Sequence, residues 1–150
     1  MSRRRACALL LAMLPVSCAH IGLQQRPVAV ARGTVRTSSG VTYEELFRGT
    51  GPAAQKGDTV TFDYTVWLAG GERIDSTLDR GVPLTIAIGN APVHGLDEGL
   101  VGMQAGGRRK LKVPSELGYG EKGVPDLIPP NAPLVFEVHL IELARSASSR

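Results

Sequence analysis

Thr59-Val60-Thr61-Phe62-Asp63-Tyr64-Thr65-Val66 is the stretch on which the fold turns. Val60, Phe62, Tyr64 and Val66 share one face of an extended chain, with Thr61, Asp63 and Thr65 opposite. Successive side chains of a strand point to opposite faces, so this period of two predicts a half-buried strand. Downstream, Ala69-Gly70-Gly71-Glu72 supplies a turn and the chain returns through Ile74. The same alternation recurs in Leu84, Ile86 and Ile88, in Leu111 and Val113 beside Lys110 and Lys112, and in Phe136, Val138 and Leu140 beside Glu137 and His139. Strands that are polar on one side predict an antiparallel sheet with one wet face and one dry face.

One segment has the period of a helix. From Pro92, the residues Val93, Leu96, Leu100 and Met103 recur at intervals of three, four and three, with Asp97 and Glu98 directed outward. Gly99 and Gly102 lower its intrinsic propensity, so packing must hold it. A short helix closing the dry face of a sheet makes an α+β fold. At 150 residues the chain suits one domain with a single core.

Residues 1–19 read as a removable leader: Arg3, Arg4 and Arg5 precede the apolar run Ala6 to Val16, the n- and h-regions of a secretory signal peptide. That run is too short to span a bilayer as a permanent helix. Three of the 17 basic residues lie there, leaving 14 against 14 acidic ones. The mature chain is then near neutral, which argues against nucleic acid as a partner. Both cysteines, Cys7 and Cys18, fall in or at the edge of the leader. Leu14-Pro15-Val16-Ser17-Cys18 resembles a bacterial lipoprotein signal, in which Cys18 becomes the lipid-bearing amino terminus, although Pro15 stands where leucine is usual. The alternative is ordinary cleavage after Ala19, with Ser17 and Ala19 as the small flanking residues. Either way the expectation is an exported bacterial protein, periplasmic or held to the envelope by lipid. Residues 20–37 lack a sustained apolar period and read as a flexible tether, with the domain over 38–144 and a disordered polar tail at 145–150.

A second stretch carries the chemistry: Leu111-Lys112-Val113-Pro114-Ser115-Glu116-Leu117-Gly118-Tyr119-Gly120, a glycine-bearing loop, then Leu127-Ile128-Pro129-Pro130-Asn131-Ala132-Pro133-Leu134-Val135-Phe136. Gly118 and Gly120 flank a tyrosine with a hydroxyl to offer. Pro129 and Pro130 lack backbone donors and force extended geometry on what precedes them, fixing how Leu127 and Ile128 are presented. The loop is suited to a small-ligand or peptide pocket, apolar at its base, with one hydrogen-bond donor at its rim. No nucleophile accompanies it. Three scattered histidines, His20, His94 and His139, without a cysteine or carboxylate cluster, predict no metal site, and no cofactor is implied.

Over residues 38 to 143 the sequence resembles the FKBP-type peptidyl-prolyl cis-trans isomerases. The resemblance is carried by Gly57-Asp58, Asp63-Tyr64-Thr65, Ile74-Asp75-Ser76, Arg80, Val93-His94-Gly95-Leu96-Asp97-Glu98-Gly99-Leu100, Gly102-Met103, Gly106 and Pro114. Gly118-Tyr119-Gly120, Leu127-Ile128-Pro129-Pro130-Asn131-Ala132 and Leu134-Val135-Phe136 complete it. It implies a curved antiparallel sheet of five or six strands wrapped around one short helix. It also implies a proline pocket whose catalytic walls are Tyr64, Asp75, Leu96, Tyr119 and Phe136, with Ile74, Leu84, Val93, Leu127 and Ile128 binding substrate. The Val93 N–H and the Tyr119 hydroxyl would meet carbonyls of a bound peptide or macrolide. Substrates would be proline-containing polypeptides that are unfolded or still folding. The helical amino-terminal module of dimeric two-domain relatives is not recognised here, so the expectation is a monomer.

Best-studied family members carry aromatics where this chain has Ile74, Leu84 and Leu96. The pocket should stay apolar but change shape, which keeps a second reading open: a non-catalytic chaperone or peptide-binding module of the envelope. Taken alone, Tyr64 and Phe136 also read as core aromatics, and Asp75 as the partner of the Tyr64 hydroxyl or Arg80.

Overall fold

The computed structural model describes residues 28–29 and 33–147. The leader, Cys7, Cys18, His20 and much of the expected tether lie outside the described residues. The strands are β1 (Val28–Ala29), β2 (Thr34–Arg36), β3 (Thr42–Arg48), β4 (Thr59–Leu68), β5 (Arg73–Ser76), β6 (Leu84–Ala87), β7 (Arg108–Val113) and β8 (Leu134–Ala144). Two α-helices join them, α1 (Thr77–Arg80) and α2 (His94–Leu100). All pairings are antiparallel, in the order β1-β3-β7-β8-β4-β5, with β2 added to β3 and β6 to β4.

The α+β architecture is the expected one, a curved antiparallel sheet around a main helix. The described sheet has eight strands rather than five or six. One addition, β2, lies inside the stretch read as a tether, where Thr34, Val35 and Arg36 pair with Glu44, Tyr43 and Thr42. Its three side chains are exposed, so its sequence carries no burial signal. Ser146, in the expected tail, donates its N–H to Asp58 at 3.1 Å.

Register preserves the alternation read from sequence. Val60, Phe62 and Val66 are buried in β4, and Leu134, Phe136, Val138 and Leu140 in β8. β4 and β8 pair along their whole lengths, with Tyr64 opposite Val138 and Val66 opposite Phe136. β4 is shared on its other edge: β5 takes Thr65–Trp67 and β6 takes Thr59–Phe62. The one-turn helix α1 fills the break between them, an element without sequence period. Ser76 is its N-cap, accepting from the Leu78 N–H at 3.3 Å.

The main helix is shorter than its apolar spacing suggested. Val93 is its N-cap and Gly102, at φ +83°, follows its end. Its glycines matter through proximity. A Cβ on Gly95 would strike Val113, and one on Gly99 would strike Leu111, closer than carbon atoms approach. The poor helix propensity is therefore the condition for laying α2 directly on β7.

Two polar residues of this layer are buried, and one of them, Asp97, departs from expectation. Asp97 does not face solvent; it is 9% exposed. Arg109, on the dry face of β7, is 3% exposed and caps the helix C-terminus, donating to the carbonyls of Gly99 at 2.7 Å and Val101 at 3.0 Å. Its guanidinium also donates to Glu45 at 3.3 Å and lies 4.2 Å from the Tyr43 ring centroid.

Candidate functional site

Between α2, the concave face of the sheet and the loop after β7 lies a cavity of about 310 Å³. β4 contributes Tyr64 and Val66, β5 Ile74 and Asp75, and β6 Leu84. The start of α2 adds Pro92, Val93 and Leu96; the long loop adds Tyr119, Val124, Leu127 and Ile128; β8 adds Phe136. All ten residues singled out from sequence thus line one hollow. Val66, Pro92 and Val124 were missed. Val66 was legible, because it shares the inward face with Tyr64. Val124 was not, because a loop has no period.

Burial grades the wall. Val93, Leu96, Ile128 and Phe136 are buried and form the floor, whereas Tyr119 at 38% and Leu127 at 50% exposure form the rim. The Tyr64 ring sits 6.2 Å from Phe62 and 6.3 Å from Phe136, both tilted, as aromatic quadrupoles favour. A polar cluster stands at one side. The Tyr64 hydroxyl donates to Asp75 Oδ2 at 2.7 Å, and the Ser76 N–H to Oδ1 at 2.8 Å. Arg80 donates to both carboxylate oxygens at 3.1 and 2.9 Å and to the Tyr64 hydroxyl oxygen at 3.1 Å. Burial opposes ionisation of Asp75, but those donors outweigh it and hold the carboxyl below its usual range. Burial, then the Asp75 hydrogen bond, push the Tyr64 hydroxyl up, with Arg80 opposing.

The loop is held by its own backbone. Val124 and Ile128 exchange hydrogen bonds of 2.9 and 2.8 Å, Asp126 turns the chain at φ +61°, and Leu127 is carried outward. Gly120, at φ +61°, accepts from the Asn131 N–H at 2.9 Å, which ties the two ends of the loop together. Among the described residues, neither the Tyr119 hydroxyl nor the Val93 N–H has a hydrogen-bond partner. The hollow therefore offers apolar walls and two unsatisfied donors, a match for a small apolar ring flanked by carbonyls.

Residues 51–141 match the family model described as FKBP-type peptidyl-prolyl cis-trans isomerase. The chain belongs to that family. An FK506-binding protein of Neisseria meningitidis serogroup B is 50% identical over 105 residues, spanning 69% of this chain and 96% of that protein. The mouse peptidyl-prolyl cis-trans isomerase FKBP2 is 46% identical over 93 residues, covering 61% of this chain and 66% of the relative. Among solved structures, FkpA from Escherichia coli superposes with a TM-score of 0.71 at 38% identity, over 78% of this chain and 54% of FkpA. In the wall of that site the Tyr64, Asp75 and Arg80 side chains satisfy one another.

Other hollows open on the domain's surface. One of about 140 Å³ lies on the outer face of the sheet around Asp63, Trp67, Arg108 and His139. Another, of about 410 Å³, is a more open groove that shares Val124, Leu127 and Ile128 with the site.

Proposed function

We propose that this FKBP-type protein accelerates rotation about Xaa-Pro bonds in exported polypeptides as they fold, by holding the twisted amide non-covalently in the apolar hollow. The observation that carries the reading is the conjunction of a buried apolar floor with two free donors, the Val93 N–H and the Tyr119 hydroxyl. Rotation about an amide faces a barrier of about 18–20 kcal/mol because resonance is lost midway. Cis and trans Xaa-Pro differ by only about 0.5–1 kcal/mol, so no driving force is needed, only preference for the intermediate geometry. A twisted amide is less dipolar than a planar one, so a water-poor wall of Val93, Leu96, Ile128, Phe136 and Tyr64 disfavours the planar ground state more. Lowering the barrier by about 5.5 kcal/mol gives roughly ten-thousand-fold acceleration. The Val93 N–H and Tyr119 orient the peptide through its carbonyls, and Tyr64 is kept in place by Asp75 and Arg80.

A magnetisation-exchange or protease-coupled assay on Xaa-Pro peptides tests this reading; background rates with the folded protein would overturn it. A second reading, a non-catalytic peptide-binding chaperone, is favoured by aliphatic Ile74, Leu84 and Leu96 in the walls. It requires suppression of client aggregation that survives Tyr119→Phe and Phe136→Ala.

The leader supports export, and Cys18 supports a lipid anchor in the envelope. Incorporation of labelled fatty acid that is lost in Cys18→Ala tests the anchor. The mature protein acts as a monomer in this reading, and a dimer in sedimentation would refute it. Macrolide ligands would compete for the same hollow, since they too offer an apolar ring between carbonyls.

A further inference from the structure

We propose that Asp97 is a positioning residue, whose buried carboxylate fixes the loop between β6 and α2 so that the Val93 N–H meets a carbonyl of the bound peptide. The inference rests on the reading of the hollow as an Xaa-Pro site.

The loop is tied to the Gly57–Asp58 turn at Ile88, whose N–H donates to the Asp58 carbonyl and whose carbonyl accepts from the Gly57 N–H, both at 2.9 Å; beyond Ile88 the backbone anchors are fewer. It opens at Gly89 with φ +111°, and Asn90 returns one hydrogen bond to Ala87 at 3.0 Å. Pro92 has no N–H to give. Against this segment stands one carboxylate. Asp97 Oδ1 accepts from the Gly89 N–H at 2.8 Å, and the Ala91 N–H reaches Oδ1 at 3.2 Å and Oδ2 at 3.1 Å. At 9% exposure the carboxylate has given up most of its hydration, so these backbone donors are what make its burial tolerable. The attachment is correspondingly firm, because a broken bond leaves charge in a dry place.

Its location gives the attachment consequence. Asp97 follows Leu96, which forms the cavity floor, and its acceptors grip residues two and four places before Val93. One turn of α2 therefore sets the floor and the donor together. The Val93 backbone is extended, with φ −121° and ψ 114°; its carbonyl accepts from the Leu96 N–H at 2.9 Å, and its own N–H is left free. A displacement of about 1 Å in such an orienting group weakens a productive pose severely.

The test compares Asp97→Asn with the neighbouring control Glu98→Gln, whose carboxylate instead accepts from Thr37 and Ser39. The near-isosteric Asn turns an NH2 toward two N–H donors. For an Xaa-Pro peptide, kcat/KM is expected to fall roughly ten-fold, chiefly through KM. The amide resonances of Gly89, Ala91 and Val93 should shift, and Glu98→Gln should change neither. A merely structural role would reduce the folded, active fraction and so lower apparent kcat at constant KM. That result, or unaltered amides in folded Asp97→Asn, overturns the proposal. If Asp97→Asn does not fold, amide exchange in the unaltered protein decides: slow exchange at Gly89 and Ala91 supports the attachment, and exchange as fast as at exposed loop positions refutes it. An unaltered protein without isomerase activity sinks the site reading itself; an active one with unmoved KM in Asp97→Asn sinks this inference alone.

Discussion

The Tyr64 hydroxyl lies 2.7 Å from Asp75 Oδ2, and this bond joins the middle of β4 to β5 at the wall of the hollow. Arg80 reaches the same two side chains from the end of α1. The cluster ties the hydroxyl end of the Tyr64 ring to β5 and α1, while Phe62 and Phe136 pack against the ring itself.

Tyr64→Phe should therefore destabilise the protein by about 1 kcal/mol, the ordinary net value of a hydrogen bond, because Asp75 keeps Arg80 and the Ser76 N–H as donors. Isomerase turnover should drop several-fold, since the freed ring loses its fixed angle to Phe136. Urea denaturation and the exchange assay measure the two effects. Unchanged turnover would show that ring orientation is set by packing alone.

His139 lies opposite Asp63 on β4 and Arg108 on β7. Burial and the Arg108 charge lower its proton affinity, with Asp63 acting the other way. In the unfolded chain it titrates near pH 6.5, so just below that pH the unfolded state binds more protons. Stability should thus fall as the pH drops from about 6.5 through the lower folded value. His139→Gln should flatten the urea midpoint against pH in that window, and an unaltered slope would exclude His139 as its source.

Gly99→Ala tests the close contact of helix and sheet. Alanine is the better helix former by about 1 kcal/mol, yet its Cβ would enter Leu111. Net destabilisation of roughly 1–3 kcal/mol is expected, with a matching loss at Gly95→Ala against Val113. A stabilised variant on thermal melting would mean that α2 can lift from β7 without cost.

Arg109→Leu removes the cation that caps α2 and leaves the Gly99 and Val101 carbonyls and Glu45 without it. Roughly 3 kcal/mol of stability should be lost, as when one member of a buried pair is deleted. Arg109→Lys should recover only part, because a point charge cannot serve both carbonyls and Glu45 at once. Equal midpoints for the lysine variant and the parent would contradict the forked role.

Legibility followed periodicity. The alternation of Val60, Phe62, Tyr64 and Val66 and its echo in β8 are local consequences of pleating, and they gave the dry face directly. Leu96 and Val93 were legible by helical spacing, and Tyr119, Leu127 and Ile128 by glycine and proline placement. The one-turn helix α1, the exposed strand β2 and the wall residue Val124 were not, because each is held by capping, pairing or turn contacts that leave no burial period in its own residues. Asp97 was misread for the same reason: charge and spacing suggest an outward carboxylate, and the donors that allow its burial come from a loop that period cannot describe.

By itself, the order of residues determined that this chain makes a one-sided sheet closed by a single main helix, since burial periodicity is written into neighbouring positions. Which groups stay unsatisfied was decided only in three dimensions. The Val93 N–H and the Tyr119 hydroxyl are free, while the carboxylates of Asp75 and Asp97 are engaged by several donors each, because hydrogen-bond saturation depends on which strands, loops and helix ends meet, and that is a property of the packed chain.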